Sequence, residues 1–380
     1  MRCTMLSGAL VLLPLLACTP AEEAGSPAAP PPPPPSPPSI AGAQDETTLR
    51  ATARRLAGLE HDGEWAAHAA ALDEIWGQME ENHLTAMRRW QASILAPLVD
   101  EPGRVVFYPF GGPNFLNAYT FLPAAPVYVL VGLEPPGPIP QLEGLDGEAL
   151  QAAAGRLEGS FRNLVKAGYF VRTQMGTDLV AAESLEGLLP MIYIFLARTG
   201  HRPVDVRYVV LGEEGEVRDA AEATPGEGSA VRVDFVAEGE EGGAVRSLYY
   251  FSQDLSDEGL AGRAAFLRFL RRLGPFNTFM KSGEYLLHME GFATLRDFLL
   301  AESRLVLQDD SGLSHRGLVE AGFETRYFGT YTGVVAAYGP YLQEDLRQAY
   351  AGGAEPLPFN IGYHVELEGG CLILARRNGE

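Results

Sequence analysis

Two stretches of this chain put polar side chains where chemistry could be done. The first is Leu307-Gln308-Asp309-Asp310-Ser311-Gly312, with His315 shortly after it. The apolar run before the acidic pair reads as a short strand, so the carboxylates fall at its C-terminal end. Open α/β sheets bind ligands at that end. Two carboxylates and a histidine could hold a cation or divide acid and base work between them. Asp309, Asp310 and His315 are therefore the candidate catalytic residues, for a hydrolase or transferase. The competing reading is structural, since Asp-Asp-Ser-Gly is also good turn chemistry ahead of a helix cap.

The second stretch runs from Arg104 to Pro138. Arg104–Phe110 and Val127–Leu133 are β-branched and aromatic with little charge, the composition of interior strands. Tyr108, Asn114 and Asn117 lie along or between them, and Glu134 follows the second strand. Buried polar groups must find partners or line a pocket. Gly111-Gly112 would let a ligand approach the backbone. Tyr108, Asn114, Asn117, Glu134 and the more distant Tyr331 are the candidate ligand-binding residues. The alternative is a tight turn whose Asn side chains satisfy local backbone. No G-x-S-x-G elbow, P-loop, H-E-x-x-H, cysteine-based metal spacing or strand-following G-x-G-x-x-G occurs, so the sequence names neither a cofactor nor a metal. Lys281 and Ser282 adjoin, but neighbours on a helix do not face each other, and they are not read as a pair.

The elements that must position these residues follow from periodicity. Asp45–Leu98 is predicted helical: Trp65, His68, Leu72, Trp76, Met79, His83, Met87, Trp90 and Ile94 recur at intervals of three and four. That stripe reads as a face packed on the rest of the domain rather than an aromatic groove. Leu188–Leu196 is apolar but too short to span a bilayer, and reads as a buried helix. From Val204 to Asp254 the period changes to two, the mark of strands with one wet face, and Glu238–Gly243 joins the last two as a hairpin. Leu260–Leu273 reads as one amphipathic helix, Leu305–Gln308 and Phe323–Tyr331 as strands, and Phe359–Val365 with Cys371–Arg376 as a terminal hairpin. His61 and His201 read as solvated surface groups. The expected fold is α/β or α+β: a single mixed β-sheet flanked by helices, with the N-terminal helical segment packed against it.

FYPFGGPNFLNAYTFLPAAPVYVLVGLEP (Phe107–Pro135), KSGEYLLH (Lys281–His288), LQDDSG (Leu307–Gly312), FGTYTG (Phe328–Gly333) and LPFNIGY (Leu357–Tyr363) together resemble a family of bacterial envelope proteins. That family has no established activity, so the resemblance transfers no catalytic residue. These are the polar, Gly-punctuated segments, and they are expected to converge on one pocket.

The N-terminus agrees with an envelope protein. Met1-Arg2, the apolar Leu6–Leu16 and Leu15-Leu16-Ala17-Cys18 resemble a lipoprotein signal, which implies lipidation of Cys18. The apolar run is too short for a membrane span. No Asp follows Cys18, so the anchor is expected in the outer membrane, with the domain in the periplasm or at the cell surface. Residues 1–17 are thus expected to be a signal peptide, 18–44 the lipid-anchor Cys and a Pro-rich tether, and 45–380 one globular domain with a helical segment over 45–98. Of three cysteines only Cys371 belongs to that domain, which excludes an intrachain disulfide there. A net charge of −20 repels phosphate backbones and argues against a nucleic-acid partner. The partners expected are the membrane, through Cys18, and an envelope ligand or protein.

Overall fold

The computed structural model describes residues 45–99, 101, 103–142, 185–220, 230–240, 242–334, 336–364 and 370–377, with helical pieces inside 151–162. The signal, Cys18 and the tether lie outside the described residues.

The strands are Val105–Tyr108 (β1), Val127–Gly132 (β2), His201–Leu211 (β3), Val217–Asp219 (β4), Ala230–Ala237 (β5), Arg246–Ser252 (β6), Phe276–Met280 (β7), Ser303–Gln308 (β8), Phe323–Gly329 (β9) and Cys371–Arg377 (β10). They form a single mixed sheet in the order β4-β3-β5-β6-β2-β1-β7-β8-β10-β9. β6, β2, β1, β7 and β8 are parallel neighbours. β3, β4 and β5 extend one side antiparallel. On the other side β10 runs antiparallel between β8 and β9. The fold class expected from sequence is the one observed.

The parallel strands explain why their sequences lack alternation. Every residue of β1 and β7 is buried, as strands covered on both faces require. One face packs Val106, Tyr108, Tyr128, Leu130, Phe279 and Leu307 against the N-terminal helices and the buried helix Leu189–Arg198. The other packs Phe107, Val129, Val131, Phe276 and Val306 against the helices that follow β6, β7 and β8. In chain order, β1, β2 and β6 step one way across the sheet, whereas β7 and β8 step the other way. This is a doubly wound arrangement whose direction reverses between β1 and β7.

The N-terminal segment is helical but not one helix. Glu46–Leu56 ends at Gly58, whose φ of +61° and approach to Ala69 leave no room for a side chain. A second run, from Gly63 to Leu98, contains π-helical turns at Glu80–Leu84 and Gln91–Leu95. Its stripe is a packing face: Trp76, Met79, Met87 and Trp90 are buried. Trp90 sets its ring edge-on to Phe121, Phe328 and Phe359 with centroids 5.0–6.0 Å apart. No described helix is long and apolar enough to cross a membrane.

Three expectations are corrected. Residues 359–364 form no strand. Gly362–His364 is a 3-10 turn, and β10 pairs with β8 and β9 instead of closing a terminal hairpin. The helix expected over Leu260–Leu273 is two, Asp257–Ala261 and Ala264–Arg272, divided at Gly262 and Arg263. His201 is buried rather than solvated, its ring edge-on to Tyr119 and Phe235. That burial, with Arg246 nearby, pushes the imidazole down to about 4.

Candidate functional site

The C-terminal ends of β1, β7, β8 and β9 share one edge of the sheet. β1 delivers Tyr108, β7 runs into Lys281 and Ser282, β8 into Asp309, Asp310 and Ser311, and β9 leads to Tyr331. β10 starts at this edge with Cys371. Apolar strands carry these polar groups inward: Lys281 is 3% exposed, Asp309 and Asp310 are each 1% exposed, and Ser311 is fully buried. Isolated ions cannot survive there unpaired, so each group must be accounted for.

Asp309 is held by backbone and hydroxyl donors. One oxygen accepts from the Ser282 N–H at 2.7 Å, and the other from the Ser311 N–H at 3.0 Å and from the Ser311 hydroxyl. Lys281 supplies the opposing charge. Burial nevertheless pushes the Asp309 carboxyl up, and pushes the Lys281 ammonium down to about 8. Asp310 accepts from the Tyr285 hydroxyl, and from the Cys371 thiol at 3.5 Å. Burial, and then the charge of Asp309, push Asp310 up to about 7. Burial also pushes up the Tyr108 hydroxyl, with Asp309 adding to it, and raises the Cys371 thiol, which fits an inert buried cysteine.

The chain between Lys281 and His288 turns sharply to close this edge. Ser282, Glu284 and Tyr285 all have φ between +52° and +55°, a region costly for residues with a Cβ. The strain is held by bonds. Gly283 N–H donates to the Ser311 hydroxyl at 2.7 Å, Glu284 N–H to the Tyr363 hydroxyl at 3.0 Å, and the Tyr363 hydroxyl to the Ser282 carbonyl at 3.0 Å. Two buried side-chain atoms of this segment, Ser282 Oγ and His288 Nε2, have no hydrogen-bond partner among the described residues. Burial lowers His288 to about 4, so its ring is neutral. His83, from the first π-helical turn, is lowered by burial and then by Lys281.

The sequence-predicted residues divide into two groups. Asp309, Asp310, Tyr108 and Tyr331 meet at this edge. His315 does not face the two aspartates. Its Nδ1 bonds Asp345 at 2.7 Å and its Nε2 bonds the Tyr327 hydroxyl at 2.8 Å. It reaches Asp310 only through backbone: Gln343 accepts from the His315 N–H and donates to the Asp310 carbonyl. Asn114 caps the short helix Phe115–Phe121 by accepting from the backbone and side-chain amides of Asn117. Glu134 stands just past β2, with Oε2 accepting from the Leu133 N–H at 3.2 Å. Lys281, Ser282, Tyr285, His288 and Tyr363 are not candidates on sequence grounds. The stretch Lys281–His288 reads from sequence as a helix or a loop, and a left-handed turn built from Ser, Glu and Tyr has no sequence signature. No group of three or more His, Cys, Asp or Glu suited to a metal occurs among the described residues. A cleft of about 340 Å³ lies elsewhere, lined by Arg89, Trp90, Ile94, Pro356 and Pro358; none of the sequence-predicted site residues lines it.

Fold and site together define a doubly wound α/β protein with a titratable cluster at the carboxyl edge of its parallel strands. Family models, curated proteins and solved structures yield no match to the chain.

Proposed function

We propose that this chain is a lipid-anchored cell-envelope protein that binds a small ligand at the carboxyl edge of its sheet, over the ends of β1, β7 and β8. The observation that carries the reading is Ser282: a hydroxyl buried without a partner among the described residues, held in a strained turn, beside the Lys281, Asp309 and Asp310 cluster and next to the reversal between β1 and β7. Native structures rarely leave such a group unsatisfied, and strain concentrates where ligands bind. The anchor rests on the Leu15-Leu16-Ala17-Cys18 signature, which would leave the domain in the periplasm or at the cell surface of an outer membrane. The acidic charge speaks against nucleic acid as the ligand.

Thermal shift of the full-length protein tests the reading, with divalent cations and envelope-derived small molecules as probes. Specific binding raises the melting temperature by mass action. Ser282→Ala removes no internal hydrogen bond, so its own melting temperature should match the parent's while the ligand-induced shift is lost. A shift that survives Ser282→Ala and Asp310→Asn would place the ligand elsewhere and refute the reading.

A second reading, a hydrolase or transferase acting on envelope material, is favoured by one observation. Asp310 near 7 and Lys281 near 8 bracket neutrality, as an acid and a base that exchange protons with substrate should. In that reading Asp309 and Asp310 keep the roles expected for them. Lys281 takes the place of His315, whose ring is occupied by Asp345 and Tyr327.

A further inference from the structure

We propose that the cleft beside Trp90 is a second binding site, built for a small monocarboxylate with an apolar body. It lies apart from the carboxyl-edge site, none of whose residues lines it, so the two readings stand or fall separately.

The cleft has two walls. One is the end of the second N-terminal helical run, which supplies Arg89, Trp90, Ser93 and Ile94. The other is the loop ahead of β10, which supplies Glu355, Pro356 and Pro358. Together they enclose about 340 Å³, near the lower end of ligand pockets, which run from ~300 to ~1,000 Å³. Both walls are fixed before any ligand arrives. The Glu355 N–H donates to the Tyr327 carbonyl at 2.8 Å, and the Gly329 N–H donates to the Glu355 carbonyl at 2.7 Å. Proline rings lock φ on either side of Leu357. Trp90 is wedged edge-on among Phe121, Phe328 and Phe359. A preformed cleft binds at little ordering cost.

Three features of the helical wall point to a ligand. Ser93 and Ile94 lie in the π-helical turn Gln91–Leu95, closed by the Ala96 N–H on the Gln91 carbonyl. Such turns are rare and concentrate at functional sites. Trp90 is 3% exposed, and its indole N–H has no hydrogen-bond partner among the described residues. A buried indole N–H usually finds an acceptor, and one left bare is costly. Arg89 is exposed at the rim. Arg88 is taken up by Glu80, and Arg326 by Glu355, whereas the Arg89 guanidinium makes no ion pair or hydrogen bond among the described residues.

The ligand class follows from these groups. An indole N–H and a guanidinium donate and cannot accept, so the polar end of the ligand is an acceptor, and Arg89 favours a charged one. A carboxylate offers one oxygen to each donor. Glu355, already met by Arg326, does not compete for Arg89. The Ser93 hydroxyl is engaged by the Arg89 carbonyl at 2.7 Å. The indole ring, Ile94, Pro356 and Pro358 then leave only apolar surface for the rest of the ligand.

Calorimetric titration of the full-length protein tests the site, with benzoate, phenylacetate, 3-phenylpropionate and hexanoate as probes, each against its uncharged amide. At least one carboxylate should bind, with its amide at least about 10-fold weaker, as loss of a bond to a charged group implies. Arg89→Met removes an exposed side chain without a partner, so it should fold as the parent and weaken the carboxylate by about 10-fold. Ser282→Ala should bind it as tightly as the parent does. The chain has three tryptophans, so Trp65→Phe and Trp76→Phe assign the Trp90 indole N–H resonance by difference, and that resonance should move downfield on saturation. Equal affinity for acid and amide, no binding at millimolar concentration, an unmoved Trp90 resonance, or binding indifferent to Arg89→Met each overturns the inference. Carboxylate binding lost in Ser282→Ala but kept in Arg89→Met overturns it too, and places that ligand at the carboxyl edge instead.

Discussion

Replacing Asp310 with Asn should change how stability depends on pH. Asp310 is buried against Asp309 and keeps its proton to about pH 7, whereas an ordinary Asp releases it near 3.8. Between those values the unfolded chain holds fewer protons than the folded one. Stability from this group is therefore complete below about pH 4, falls as pH rises, and levels off above about pH 7. A shift of roughly 3 units at about 1.4 kcal/mol each puts the loss on the order of 4 kcal/mol across the window. The amide introduced by Asp310→Asn cannot ionise and still accepts from the Tyr285 hydroxyl. Whatever its offset at pH 4, the stability difference between Asp310→Asn and parent should move in the variant's favour by about 4 kcal/mol by pH 8. Urea unfolding of the full-length protein at unit steps from pH 4 to pH 8 measures this directly. Curves that stay parallel from pH 4 to pH 8 would refute the account of the cluster.

The neighbouring positions give two further expectations. Lys281→Met leaves the Asp309 carboxylate buried without its counter-charge and should cost about 3–5 kcal/mol near pH 7, where Lys281 is still mostly charged. The cost should shrink as the pH falls, because protonation of the Asp309 carboxyl, which burial raises, removes the unpaired charge, and adding Asp309→Asn should restore much of it; urea denaturation of the double variant checks the coupling. Gly362→Ala would place a Cβ 2.1 Å from an Asp309 oxygen at a φ of +72°. It should cost at least about 1–2 kcal/mol, read as a lowered melting temperature.

Much of the architecture was legible in the chain because burial leaves periodicity behind. The period-two run from Val204 to Asp254 predicts the antiparallel side of the sheet, and the Glu238–Gly243 loop does join two antiparallel strands, β5 and β6. The unbroken apolar runs at β1 and β2 predict interior strands, which they are, and Leu305–Gln308 is a strand as expected. The failures have local causes. Phe359–Val365 looks alternating, yet Gly362 turns there to make room for Asp309. His201 is polar by type, but a packed aromatic neighbourhood can bury a neutral imidazole. Of the candidate site, the aspartates were legible because they follow an apolar strand. Lys281 and Ser282 were not, since their importance depends on β7 lying beside β8, a pairing between residues far apart in sequence. The strained turn that holds Ser282 is fixed by the Asp309, Ser311 and Tyr363 side chains, none of them local to it.

The most direct test of the carboxyl-edge cluster is an NMR titration of Asp side-chain carboxyl carbons in selectively labelled full-length protein from pH 3 to pH 9. The account predicts a carboxyl with an apparent midpoint near 7 that disappears in Asp310→Asn and shifts in Lys281→Met. If every Asp titrates below about pH 5, in the ordinary range for an exposed carboxyl, Asp310 is not held in a buried cluster at the ends of β7 and β8, and the site proposed there is contradicted.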